Sequence, residues 1–320
     1  MKFSAYLCVL LATLISSAHA QMFVTNGNSI DEYHLDGTLE QANFITGLNS
    51  PTYIAVGGSD LYVYNSGTNS LLEFNSAGAQ VHAADLASFT GISNVTGLTA
   101  SAGAWAVVYN NGSRALIQPT DEIYKGSGSP PAGYTAGGYG APAAVSSPVN
   151  LQFTGGLAAA GNDAYFAVNN TSTGVGGVGV DSAYFGFLTN AFTANTLTVN
   201  GLNNPTLLAL AGTNLFTYNG GNQIVGEYNL NGQPVASQLV ALSGGTTATK
   251  IAATENDFYY LDSTGAIHDK NLSSGSNTVL VSGLSSPQGF AVMETPEPST
   301  WAMLLSGLAL LAFRFRRARA

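Results

Sequence analysis

Charged side chains are the scarcest feature of this 320-residue chain: Asp, Glu, Lys and Arg make up 8% of it, where a soluble protein ordinarily devotes about a quarter. Coiled coils and long salt-bridged helices are thereby excluded. Positive charge is rarer still. Five of the nine Lys and Arg (Lys2, Arg314, Arg316, Arg317 and Arg319) lie in the terminal segments, so the body is acidic. No nucleic-acid partner is expected, because affinity for a phosphate backbone comes largely from Lys and Arg displacing counterions. Cysteine occurs once, as Cys8, inside a segment expected to be removed, so the mature protein has neither a disulfide nor a thiol nucleophile. Also missing are a paired-histidine metal motif, a phosphate-cradling loop, a calcium loop and a Ser-His-Asp order. What is abundant is apolar surface, at 45% of residues, with 38 Gly and 15 Tyr. That composition is enough for a real core and belongs to strands and turns.

The two ends read as sorting signals. At the N-terminus, Lys2 precedes an apolar run from Ala5 to Ile15 and the small-residue stretch Ser16-Ser17-Ala18-His19-Ala20. This is the layout of a secretory signal peptide over residues 1–20, with Ala18, Ala20 and Gln21 at the signal peptidase site. At the C-terminus, Pro296-Glu297-Pro298-Ser299-Thr300 leads into an apolar helix over 301–313 and an Arg-rich tail over 314–319. At 1.5 Å per residue that helix reaches about 20 Å, so it barely spans a hydrocarbon core of roughly 30 Å. Arg314, Arg316, Arg317 and Arg319 form a membrane stop that holds this end in the cytoplasm, with the preceding domain outside.

The triplet, the short apolar run and the terminal arginines together resemble a PEP-CTERM sorting signal, over 294–320. The resemblance implies that an inner-membrane exosortase reads the signal and cleaves near Pro296, Glu297 and Pro298. It also implies a Gram-negative bacterium, commonly one that makes an exopolysaccharide matrix or biofilm. The expected route is export as an inner-membrane-anchored precursor, held only transiently through its C-terminal helix, then delivery to the cell surface or extracellular matrix.

Between the ends, six aromatic or β-branched runs recur, each closed by Asn or Asp: Met22–Asn26, Leu61–Asn65, Trp105–Asn110, Tyr165–Asn169, Leu215–Asn219 and Phe258–Asp262. A run of small residues precedes five of them, and a sixth such run, Pro287–Val292, comes last with no partner after it. That offset predicts a ring closed by its own termini, the final strand completing the unit begun at Gln21. The connector Gly-Leu-x-x-Pro occurs three times, at 47–51, 201–205 and 283–287. Residues 21–293 are therefore expected to form an all-β, six-bladed β-propeller with four-stranded blades, flanked by an N-terminal signal helix and a C-terminal short transmembrane helix. Seven blades remain open. The layout resembles NHL-type propeller repeats, without the Arg common in their third strand. Two Gly-rich stretches, 121–150 and 171–180, are expected to be loops.

No catalytic set is legible. His34, His82 and His268 have no partner spacing and are expected in turns or facing solvent, with no metal and no cofactor. Asp60, Asp163 and Asp257 precede aromatic runs and are expected to cap inter-strand turns. Asp31, Glu32, Glu73 and Glu227 fall on third strands and are expected to be solvated at a blade edge. The expected function is a non-catalytic binding or structural module for exopolysaccharide or surface proteins. The alternative is a secreted hydrolase or lyase with a metal-dependent site in the central channel.

Overall fold

The computed structural model describes residues 20–81, 87–88, 95–101, 104–109, 114–119, 145–146, 151–160, 163–181, 197–284 and 286–294. The chain divides into a unit of residues 22–292 and a second unit of residues 1–21 with 293–320. Only residues 20, 21, 293 and 294 of the second unit are described, so both expected terminal helices lie outside the described residues. Among the described residues, no helix is long and apolar enough to cross a membrane.

The described strands form six four-stranded sheets. The chain opens with β1 (Gln21–Asn26), β2 (Ser29–His34) and β3 (Leu39–Ile45). The second sheet holds β4 (Pro51–Gly57), β5 (Asp60–Asn65), β6 (Ser70–Asn75) and β7 (Ala87–Ser88). The third holds β8 (Gly97–Ser101), β9 (Ala104–Tyr109), β10 (Arg114–Pro119) and β11 (Val145–Ser146). Then come β12 (Leu151–Ala160), β13 (Asp163–Asn170), β14 (Gly176–Asp181) and β15 (Leu197–Leu202), followed by β16 (Pro205–Ala211), β17 (Asn214–Asn219), β18 (Ile224–Asn229) and β19 (Pro234–Ala241). The sixth sheet is β20 (Ala248–Ala253), β21 (Asp257–Asp262), β22 (Ile267–Asn271) and β23 (Asn277–Val281). Finally β24 (Phe290–Met293) returns to pair with β1, giving the order β24-β1-β2-β3. This architecture is an all-β propeller.

The closure is held by one side chain as well as by the strand. Thr25 Oγ1 accepts from the backbone N–H of both Gln288 and Gly289, each at 2.7 Å, and Thr25 N donates to Gly289 O at 3.0 Å. The bond from Gly289 satisfies a donor that burial would otherwise orphan.

Each aromatic run of the sequence is the second strand of its sheet, buried on both faces because a neighbouring sheet covers each. The clusters alternate around the ring. Tyr62, Tyr64 and Leu71 pack on Trp105 and Val107 of the next sheet. Phe216, Tyr218 and Val225 pack on Phe258 and Tyr260, with the Phe216 and Phe258 rings stacked at 5.3 Å. Tyr259, Leu261 and Ile267 meet Met22, Val24 and Tyr33 across the closing boundary.

The runs of small residues are the innermost strands β4, β8, β12, β16, β20 and β24. Crowding explains their composition. A Cβ on Gly57 would lie 2.3 Å from Ser101 O, and one on Gly97 would lie 2.0 Å from Gly155 O, closer than any real side chain approaches backbone.

The repeated connector also has a physical cause. Gly47, Gly201 and Gly283 all take positive φ (79°, 78° and 75°), and so do the residues before each proline, Ser50, Asn204 and Ser286 (52°, 52° and 55°). The glycine admits the left-handed turn. Leu48 and Leu202 then drop into the core at 5% and 6% exposure.

Two expectations are corrected. The Gly-rich stretch 171–180 is not all loop: Gly176–Asp181 is β14, the third strand of its sheet, paired with both β13 and β15. Its glycines serve close packing, since a Cβ on Gly176 would lie 2.1 Å from Pro205 Cδ. The third-strand carboxylates are not solvated either. Asp31, Glu32, Glu73 and Glu227 are buried at 4 to 7% exposure, because the fourth strand, not the third, forms the sheet edge. Of the stretch 121–150, only Val145–Ser146 is described, as the strand β11; the remainder lies outside the described residues.

Candidate functional site

Residues of the six innermost strands surround a cavity of about 320 Å³ on the ring axis. It is bounded by Tyr53 and Ile54, Thr96 to Leu98, Thr154 to Leu157, Thr206 to Leu208, Ala248 to Ile251, and Phe290, so all six sheets contribute. A further section of about 170 Å³ continues along the same strands between alanines such as Ala55, Ala100, Ala158, Ala209, Ala252 and Ala291. The small side chains of the innermost runs thus leave a channel rather than a filled axis.

The wall of the larger section is chemically simple. Among the described residues its polar side chains are Tyr53, Thr96, Thr154, Thr206, Thr249 and Lys250, and none of those that line it is Asp, Glu or His. Thr249 Oγ1 donates to Leu261 O at 3.1 Å and Thr154 Oγ1 donates to Pro205 O, so both hydroxyls keep lone pairs as acceptors. The Lys250 ammonium sits 4.4 Å from the centre of the Tyr53 ring, a cation–π arrangement. Burial pushes the Lys250 amine down to about 8. Burial, with Tyr64 adding to it, pushes the Tyr53 phenol up to about 12, leaving it a neutral donor. Sequence reasoning placed Lys250 in an innermost run without singling it out; the available signal was a lone cation in a stretch of small residues.

The candidate residues read from the sequence do not assemble here. His268 Nε2 lies 2.8 Å from Asp262 Oδ2, and its ring stacks on Tyr260 at 4.5 Å. Burial opposes ionisation of Asp262, but hydrogen bonds from Thr264, Ala266 and His268 hold its carboxyl below the usual range. His268 is therefore committed to a structural pair. His34 Nδ1 is 3.6 Å from Glu40 Oε2, and His82 lies outside the described residues. Asp60, Asp163 and Asp257 open second strands; Asp60 is hydrogen-bonded to Ser59 of the preceding turn, and Asp257 Oδ1 accepts from Asn271 Nδ2 across the strand pair at 2.7 Å.

The buried third-strand carboxylates are likewise internally bonded. Glu73 Oε1 accepts from Tyr62 OH at 2.9 Å, Glu227 Oε1 from Asn214 Nδ2 at 2.7 Å, and Asp31 from Asn26 Nδ2 and Asn43 N, both at 2.7 Å. Among the described residues no group of three or more His, Cys, Asp or Glu could hold a metal ion. A metal-dependent hydrolase site in the channel thus has no ligand set in the described wall.

One of these carboxylates carries a pH dependence. Burial, with the Glu40 charge adding to it, pushes Glu32 up to about 7 from an ordinary 4.5. Below pH 4.5 the group is protonated in both folded and unfolded chains and costs nothing. As pH rises from 4.5 to 7 only the unfolded chain releases the proton, so stability falls through that window and levels above it. Glu32→Gln is expected to melt like the wild type at pH 4 and to be the more stable at pH 8, by about 1–2 kcal/mol once solvent screening is allowed for. Thermal melts across that range check this, and a difference that does not vary with pH would contradict it.

The expected cleavage residues flank the start of β1 and the end of the described residues. Ala18 lies outside the described residues, Ala20 precedes the first strand, and Gln21 is the first residue of β1. Pro296, Glu297, Pro298, Arg314, Arg316, Arg317 and Arg319 lie outside the described residues.

Sheets arranged about a central channel and closed by the last strand define the β-propeller class. A chain of the nidogen/laminin complex crystal structure shares this fold at a TM-score of 0.58 and 12% identity, covering 86% of this chain and 98% of its own. A Kluyveromyces lactis Hsv2 structure (TM-score 0.45, 10% identity, 78% of this chain and 69% of its own) and apo AztD from Citrobacter koseri (0.44, 11%, 81% and 70%) are more distant. No curated protein matches the chain in sequence. Residues 294–319 match the PEP-CTERM protein-sorting motif. The chain is thus a β-propeller carrying an export-associated C-terminal sorting signal, and the motif implies processing by an exosortase.

Proposed function

We propose that the protein is an exported six-bladed propeller of a Gram-negative bacterium, released from its signal peptide after Ala20 and sorted through Pro296-Glu297-Pro298. The apolar segment 301–313 and the arginines at 314, 316, 317 and 319 hold the precursor in the inner membrane until the exosortase acts. The mature domain then serves at the cell surface or in the extracellular matrix as a non-catalytic binding or structural module for exopolysaccharide or surface proteins. The observation that carries this reading is the sorting motif at 294–319 behind a propeller whose described channel wall offers threonine hydroxyls, a phenol and one amine. Such a wall can bind a hydroxylated ligand.

The position of the N-terminal boundary supports the processing scheme, since a chain beginning at Gln21 begins at the first residue of β1. Replacing Pro296, Glu297 and Pro298 by Ala in the native host should leave the protein in the membrane fraction. The wild-type protein should be found at the surface or in the matrix and should co-sediment with matrix polysaccharide. Unchanged distribution of the triple variant would overturn the sorting, and failure of the wild type to associate with any matrix or surface component would overturn the module.

A further inference from the structure

We infer that the mouth of the central channel is a binding site for a carboxylated sugar, with Lys250 receiving the carboxylate and the surrounding threonines receiving the hydroxyls. This deepens the glycan part of the proposed function and rests on that reading.

The geometry provides three observations. The cavity of about 320 Å³ lies at the lower end of the range for small-ligand pockets, roughly 300–1,000 Å³, which suits one or two sugar residues rather than a long segment. Its single ionisable cation, Lys250, is held against the Tyr53 ring with no salt-bridge partner among the described residues, and burial alone accounts for its lowered basicity. A partly buried ammonium without a counter-charge is costly for a fold to keep, and a ligand carboxylate would supply the missing charge. Third, Thr154 and Thr249 spend their protons on backbone carbonyls and so face a ligand as acceptors. They suit the hydroxyl donors of a sugar and not a bare inorganic anion.

The acidic composition of the body makes the contrast sharper. Of the four Lys or Arg between the terminal segments, at 114, 125, 250 and 270, Lys250 stands on the axis in a wall with no carboxylate among the described residues. The net negative charge of the body disfavours an acidic ligand in general, and the Lys250 ammonium attracts one at this point.

The test is calorimetric titration of the purified protein with glucuronate, galacturonate, glucose, acetate and inorganic phosphate at pH 7, repeated on Lys250→Met and Lys250→Arg. One of the uronates is expected to bind at least tenfold more tightly than glucose, acetate or phosphate. That affinity should fall at least tenfold in Lys250→Met and be retained in part by Lys250→Arg. In the wild type, affinity should also decline as pH rises through 8 and beyond, as the amine loses its proton, a readout that does not depend on either variant folding. No uronate binding, equal binding by acetate or phosphate, or unchanged binding in a folded Lys250→Met would overturn the site. Co-sedimentation of that variant with matrix polysaccharide separates the two readings: retained association with lost uronate binding leaves the module standing and confines Lys250 to the channel.

Discussion

A chain ended at Ser282, before the last strand, is expected to lose cooperative folding altogether. The truncation removes Phe290, Ala291 and Met293, buried at 4%, 7% and 3% exposure. Cutting back a single buried Phe or Met to Ala typically costs about 3–5 or 2–5 kcal/mol. It also strips β1 of its inner partner, exposing a strand edge of unpaired backbone groups beside the apolar Met22, Phe23 and Val24. Native domains have only about 5–15 kcal/mol in hand, so the sum exceeds what a ring can lose. A chain ended at Glu294 keeps β24 and should melt cooperatively. Thr25→Val is the milder version: Gln288 N–H and Gly289 N–H lose their common acceptor, at about 1–3 kcal/mol for the buried Gly289 donor left unpaired. Circular dichroism melts of the three chains check the order. A cooperative melt of the shorter truncation at the temperature of the longer one would show that the last strand does not close the ring.

Among the axial glycines without a positive φ, Gly97→Ala should be the most damaging single-methyl addition. Its φ does not require glycine; the obstacle is Gly155 O, which a Cβ would meet at 2.0 Å. That carbonyl belongs to the neighbouring innermost strand, so the methyl can be accommodated only by moving β8 and β12 apart. Overpacking against side chains costs about 1–3 kcal/mol, and against backbone the upper part of that range is expected. For a domain of this size, that is a fall of roughly 5–10 °C in melting temperature. Gly47→Ala provides the contrast. It has open space but φ of +79°, so it should cost only the left-handed strain of about 1–2 kcal/mol. If Gly97→Ala proves the milder of the two, the innermost strands are not as closely approached as the geometry states.

Much of the ring was legible in the chain because two demands write directly onto sequence. Second strands covered on both faces must be apolar and aromatic throughout, which is why Leu61–Asn65 and Phe258–Asp262 stand out. Strands converging on an axis must be small, which marks Ala158–Ala160 and Ala252–Ala253. The Gly-Leu-x-x-Pro connectors were visible as a repeat, and their cause, paired left-handed residues flanking a buried leucine, needed the backbone.

Burial of polar groups was not legible. Glu73 and Glu227 sit in alternating strands that look half-exposed, and nothing local reveals that Tyr62 and Asn214 reach them from the neighbouring strand. Likewise β14 is concealed by glycines that read as a loop until Pro205 is seen pressed against Gly176. Lys250 was hidden for the opposite reason: one cation in a short strand carries no motif, and its meaning comes only from the six strands that surround it.

The measurement that bears most directly on the account is mass spectrometry of the protein isolated from its native host, with membrane and extracellular fractions analysed separately. The account predicts a species that begins at Gln21 and ends near Pro298, found outside the inner membrane. A protein that retains Arg314 to Arg319 and stays wholly in the membrane fraction would contradict it.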